Sequence, residues 1–183
     1  MKHLPLSKQI SFSIGQLGWS ILSGLVVSYL VYFFQPTREA ELPFFVPQGM
    51  LFGFFTVIGF ISASGRLFDA ITDPLVASFS DRSRHPQGRR IPFLKYSALP
   101  LALSTGLVFV TPVKGISWVN AAWLFVVLMI FYLSITAYVT PFNALIPELG
   151  KTQKDRLNIS TFISLTFLLR EKSTRLYHFR EGD

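Results

Sequence analysis

The sequence contains no cysteine, which excludes disulfides, thiolate catalysis and sulfur-ligated zinc. Charge is scarce too: Asp, Glu, Lys and Arg make up 15% of the residues, against about a quarter in a soluble domain. The three histidines, His3, His85 and His178, lie too far apart to suggest a metal or triad cluster. There is no P-loop, no dinucleotide fingerprint and no H-E-x-x-H. These absences argue against an enzyme and against a bound cofactor or resident metal. The net charge of +7 does not indicate a nucleic-acid partner, because the bases sit in short segments between apolar runs and form no basic face.

Apolar residues are abundant, at 50% of the chain, and they are gathered into long runs. Ile10–Phe34 and Trp118–Pro141 carry no charged residue at all. A helix needs about 20 apolar residues to cross the hydrocarbon core of a bilayer, so both runs predict spans. The first is longer than the core of a cleaved signal peptide and lacks a small-residue cleavage site after it. It reads as a retained span.

Four full spans and part of a fifth are predicted, giving an all-α, polytopic membrane protein. The first covers Ile10–Phe34 and ends at Gln35-Pro36, since proline cannot continue the hydrogen-bond ladder. The second covers Gln48–Phe79, the third Pro92–Thr111 and the fourth Ser117–Leu145. The connection after span two holds Arg82, Arg84, Arg89 and Arg90, and that after span four holds Lys151, Lys154 and Arg156. The intervening connections carry Arg38 against Glu39 and Glu41, and Lys114 alone. Basic short loops stay cytoplasmic, so the N-terminus is predicted inside, in the cell inner membrane. Residues 1–157 form the four-helix part. Residues 158–183 form a partial fifth helix, whose apolar stretch stops at Leu169, and a charged tail that reads as a truncation or frameshift.

Charged groups inside a bilayer cost about 2.5–3.5 kcal/mol each on insertion scales, so they face a cavity or a partner. Span two carries three. Asp69 and Asp73 are spaced i, i+4 on one helical face, and Arg66 lies three residues before Asp69. Two stacked carboxylates repel each other, and a bound Na⁺ or a proton relieves the repulsion. Thr72 adds a hydroxyl, and hard cations prefer oxygen ligands. The alternative is structural: Arg66 neutralises one aspartate and the other reaches the cytoplasmic surface. In span four, Tyr132, Thr136, Thr140 and Asn143 recur at helical period, with Pro141 inside the stripe. The stripe lines a water-filled cavity or packs through interhelical hydrogen bonds. Span one has a weaker version in Ser13, Gln16, Ser20 and Ser23. Gly49 and Gly53 form a GxxxG that predicts a close helix contact.

The stretch GRLFDAITDPLVASFSDRSRHPQGRRIPFL closely resembles the signature of the glycoside–pentoside–hexuronide:cation symporters, the melibiose permease family within the major facilitator superfamily. Its elements fall on Arg66, Asp69, Asp73, Pro74, Asp81, Arg82, Arg84, Gly88, Arg89 and Pro92. TPFNALIPEL resembles the family's segment at the end of its fourth helix, through Pro141, Phe142, Leu145 and Pro147. SFSIGQLGWS resembles its opening helix. The resemblance implies the N-terminal half of a facilitator fold, with substrate and ion bound between two six-helix halves. It assigns Asp69 and Asp73 to the coupling cation, Na⁺ or H⁺, with Thr72 and Thr136 completing the site. Asp81, Arg82, Arg84, Arg89 and Arg90 become a cytoplasmic gating loop.

The family's sugar-holding aspartates fall on Ser20 and Val139, and an aromatic falls on Asn143, so a solute other than a galactoside is expected. Gln16, Ser20, Tyr132, Thr140 and Asn143 are the expected cavity residues. The predicted function is therefore cation-coupled symport of a sugar or sugar-like solute. The alternatives are a non-transporting membrane fragment, an assembly partner of a separate C-terminal half, or a self-associating channel lined by Asp69 and Asp73. Besides the solute, the expected partners are the lipid bilayer and such a second half or a second copy.

Overall fold

A computed structural model describes residues 5–36, 42–51, 53–150 and 152–180, with the backbone alone for Thr166 and for residues 169–180. Arg38, Glu39, Glu41 and Lys151, which entered the charge pattern, and His3 lie outside the described residues. The described residues are mostly helical: α1 (Leu6–Phe34), α2 (Val57–Arg82), α3 (Ile91–Leu107), α4 (Trp118–Ala144), α5 (Ile146–Leu149) and α6 (Gln153–Arg180). A two-stranded antiparallel ribbon, β1 (Met50–Leu51) and β2 (Phe55–Thr56), precedes α2.

Two expected boundaries are corrected. The second span does not begin at Gln48, because the chain first turns through the ribbon, with Gly53 at φ 78°. That left-handed backbone favours glycine, and it places Gly49 and Gly53 in a turn rather than at a helix contact. The Thr56 hydroxyl then caps α2 by accepting from the Gly59 amide at 3.0 Å. The third helix ends at Leu107 and not at Thr111, through short turns in which the Val110 amide donates to the Leu107 carbonyl at 3.1 Å. By contrast, α1 ends at Phe34, before Gln35-Pro36 as expected. α6 continues as helix to Arg180, past the end of its apolar stretch at Leu169. Its charged second half contains no Gly or Pro before that point, and Lys, Glu and Arg are good helix formers.

Alongside an apolar core that includes Phe34, Leu124 and Leu128, polar groups are buried and large apolar side chains are exposed. Gln16, Ser20, Thr72, Ser104, Asn120 and Thr136 are buried. Ile10, Ile14, Leu67, Leu103, Val126 and Ile130 are exposed. Water would penalise such large apolar surfaces, whereas hydrocarbon accepts them and drives polar groups inward. Among the described residues, two stretches, Leu6–Phe34 and Trp118–Leu149, are long and apolar enough to cross a membrane.

The chain divides into two compact units. One comprises residues 1–22 and 142–183, the other residues 23–141. In the first, Phe12 stacks on Phe142 with ring centroids 4.1 Å apart. Thr152 caps α6 in a reciprocal box, donating to Asp155 Oδ2 at 2.7 Å and accepting from the Asp155 amide at 3.1 Å. In the second unit, Phe33 stacks on Phe45 at 5.4 Å and meets Phe109 edge-on at 5.7 Å. Asn120, 1% exposed, pins the loops at this end of the unit. Its amide nitrogen lies 3.0 Å from the Phe45 carbonyl, 2.9 Å from that of Val113 and 3.0 Å from that of Gly115. Its oxygen accepts from the Val113 amide at 3.0 Å.

Candidate functional site

The paired carboxylates lie on α2, in the unit of residues 23–141. Pro74 sits inside this helix and cannot donate to the carbonyl four residues earlier, at Ala70. Polar backbone is thereby freed beside Asp69 and Asp73. Asp69 is half-buried and Asp73 exposed.

α4 meets this region through two of its polar positions. The Thr136 hydroxyl donates to Asp69 Oδ1 at 3.1 Å. One turn earlier, the Tyr132 ring packs against Gly65, and the Arg66 guanidinium carbon lies 6.0 Å from the ring centroid. That is the outer reach of a cation–π contact. Arg66 forms no direct ion pair with Asp69 or Asp73 among the described residues, although its charge is close enough to act on Asp69. The sequence reading missed the contact between Gly65 and Tyr132. Its signal was a glycine inside a helix, which usually marks a close approach.

The other candidates are distributed as follows. Thr72 is buried, but its hydroxyl donates to its own helix, at the Phe68 carbonyl 3.0 Å away, and comes within 3.4 Å of the Asp69 carbonyl. Its proton is therefore committed locally, while its oxygen can still accept or ligate. Thr140 is half-buried on α4. Gln16, Ser20 and Asn143 belong to the other unit. There Gln16 accepts from the Trp19 indole at 3.2 Å, Ser20 is fully buried, and Asn143 is exposed.

Where α2 ends, the loop candidates form one clear link. Arg90, at the start of α3, donates from Nη2 to Asp81 Oδ1 at 2.8 Å. The Arg90 hydrogen bond, with its charge and that of Arg89 adding to the effect, holds the Asp81 carboxyl below its ordinary range. The intervening turn is shaped by Gly88 at φ 103°, whose amide donates to the His85 carbonyl at 3.0 Å. Arg82, at the end of α2, and Arg84 and Arg89, on the turn, are exposed.

Comparison with known proteins places the chain in a transporter family. The family profile described as "MFS/sugar transport protein" matches residues 11–168. An uncharacterized symporter of Synechocystis sp. is 28% identical over 166 residues, covering 88% of this chain and 28% of that protein. The sodium-dependent lysophosphatidylcholine symporter 1 of Xenopus tropicalis is 32% identical over 159 residues, 85% of this chain and 27% of the relative. The isoprimeverose transporter of Lactiplantibacillus pentosus is 21% identical over 158 residues, 86% of this chain and 30% of the relative. The chain thus spans under a third of the length of these curated relatives. No solved structure matches it.

Proposed function

This chain belongs to the MFS/sugar transport protein family of integral membrane transporters, and from that premise we propose that it is the cation-binding N-terminal part of a symporter. The reading is uptake of a sugar or sugar-like solute driven by Na⁺ or H⁺ across the cytoplasmic membrane. Helices α1 to α4 act as four spans, with α6 beginning a fifth and the N-terminus cytoplasmic.

The observation that carries the reading is the Thr136 hydroxyl on Asp69 Oδ1, beside Asp73 and with no direct ion pair to Arg66. Two carboxylates at membrane depth without an ion-pair partner make an expensive arrangement. A cation drawn down its gradient offsets that cost by direct ligation through carboxylate, hydroxyl and carbonyl oxygens. Loading stabilises the conformer that accepts solute, because a ligand shifts a conformational equilibrium by its differential affinity for the two states. Tyr132 and Thr140, in the unit of residues 23–141, then supply uncharged hydrogen-bonding groups suited to hydroxylated solutes, and Gln16, Ser20 and Asn143 supply such groups within the other unit. The link between Asp81 and Arg90 closes the cytoplasmic side and is exchanged as the site turns inward. The names of the relatives run from an isoprimeverose transporter to a sodium-dependent lysophosphatidylcholine symporter, so solute choice rests on the cavity residues.

The test is solute-dependent entry of radioactive sodium, or a solute-dependent pH change, in vesicles carrying this chain, with Asp73→Asn as control. Coupled entry that the substitution abolishes supports symport by this chain. Absence of entry, with the chain shown to be in the membrane, assigns it to the second reading, that of a non-transporting fragment or the partner of a separate C-terminal half.

A further inference from the structure

We infer that Gly65 and Tyr132 form a shelf that holds the Arg66 guanidinium off the Asp69/Asp73 pair, and that this separation sets the affinity for the coupling cation. The second half rests on the cation role proposed above for the two carboxylates.

The starting point is a pairing that does not occur. Arg66 stands three residues before Asp69, a spacing at which opposite charges on a helix meet. In a bilayer the incentive to pair is larger than in water, because an unpartnered ion is costly there. Yet Arg66 makes no ion pair with either aspartate among the described residues, and lies toward the Tyr132 ring, 6.0 Å from its centroid. An aromatic face attracts a guanidinium through the ring quadrupole, and arginine is the cation most often found there.

The ring occupies that place because residue 65 has no side chain. A Cβ at Gly65 would come within 2.6 Å of Tyr132 Cδ2 and 2.9 Å of Cζ, distances that would force the ring to move. Tyr132 is itself only 8% exposed, so it has little room in which to move. On the same helix, four residues on, Thr136 donates to Asp69 Oδ1 at 3.1 Å. α4 therefore engages α2 at two successive inward turns, an aromatic face for the cationic side chain and a hydroxyl for the carboxylate.

The consequence follows from competition. A guanidinium tethered three residues away from a carboxylate acts at high effective concentration. Once free to fold onto Asp69, it would compete with any diffusible cation. Held on the ring, it leaves both carboxylates open while keeping a positive charge nearby. Tyr132 is thus a positioning residue that acts through Arg66 and need not touch the cation.

Two measurements on the purified full chain test this. The first is a double-mutant cycle in thermal unfolding between Arg66→Gln and Asp69→Asn, run in the wild-type and Tyr132→Leu backgrounds. The shelf predicts a small coupling in the wild type and a clearly larger one once the ring is gone. Coupling of equal size in both backgrounds, or absent from both, overturns the shelf whether or not a cation binds. The second is calorimetric titration with sodium chloride. Tyr132→Leu should weaken affinity by about tenfold, Tyr132→Phe should retain it, and adding Arg66→Gln to Tyr132→Leu should restore it. A weakening that Arg66→Gln does not relieve overturns the competition. Sodium binding that Asp69→Asn leaves unchanged, or none in the wild type, removes the sodium role and with it the second half of the inference as a statement about sodium, while the thermal cycle still decides the shelf.

Discussion

Thr136 and Asp69 stand 67 residues apart in sequence, and the threonine hydroxyl donates to the carboxylate at 3.1 Å. A hydrogen bond to a charged group contributes about 1.5–3 kcal/mol where water is excluded, and tenfold in affinity corresponds to about 1.4 kcal/mol. Thr136→Val keeps the shape and removes the hydroxyl. It should weaken cation affinity by about tenfold or more, whereas Thr136→Ser should stay near wild type. Sodium titration of the three proteins checks this, and equal affinities would separate Thr136 from the site.

This contact also shows where a sequence stops being legible. Helical period places Asp69 and Asp73 on one face of α2, and Tyr132 and Thr136 on one face of α4. Period says nothing about which face meets which, because that depends on packing between distant segments. The Gly65–Tyr132 contact is unreadable for the same reason, although a glycine in a helix is a hint of close approach. Helix ends were readable where local chemistry decides them, as at Gln35-Pro36 after α1. They were misread around Met50–Phe55, where a short apolar run without period suits a strand as well as a helix. The tail past Leu169 was judged by hydropathy, yet intrinsic propensity carries α6 on to Arg180.

Asn120 offers a stability prediction independent of transport. Its amide is buried and serves the carbonyls of Phe45, Val113 and Gly115 and the Val113 amide. Asn120→Ala leaves several of these groups unsatisfied, each at roughly 1–3 kcal/mol where buried. Partial rescue by the Ser117 amide, which already donates to the Phe45 carbonyl at 3.2 Å, limits the loss. The expected destabilisation is about 2–3 kcal/mol, read as a lower thermal unfolding midpoint in detergent. Sodium affinity of the protein that remains folded should be unchanged.

The Asp81–Arg90 link predicts a pH dependence with a definite sign. Arg90 lowers the folded-state pKa of Asp81 below its ordinary value of 3.8, so the folded chain prefers the ionised form. Its stabilising effect is complete above the ordinary carboxylate range and is lost as pH falls through the depressed folded value. The turn should therefore be equally ordered across neutral pH and loosen only in acid, below about pH 4. The absence of native cysteine makes Gln87→Cys a unique spin-label site on this turn. Label mobility should rise in acid, and Asp81→Asn should show the mobile spectrum already at pH about 7. A mobile spectrum at neutral pH in the otherwise unaltered chain would show that the link does not order the turn.

Exposed apolar residues distinguish the membrane reading from a soluble one by energy. Ile130 lies near the middle of α4 and is 48% exposed. On a soluble protein, a lysine at such a surface position changes stability by no more than about 0.5 kcal/mol. Facing hydrocarbon at mid-span, the same side chain costs about 2.5–3.5 kcal/mol on insertion scales, so Ile130→Lys should shift the insertion equilibrium of α4 by about a hundredfold. Ile116 supplies the control, since it is 62% exposed but lies in the connection before α4, where a lysine head reaches water. Ile116→Lys should leave insertion unaffected. The measurement is the membrane-inserted fraction of each protein in a translation assay with microsomes or inverted vesicles. Equal insertion of Ile130→Lys and Ile116→Lys would mean that the outer face of α4 does not meet lipid, and it would remove the basis for reading that helix as a span.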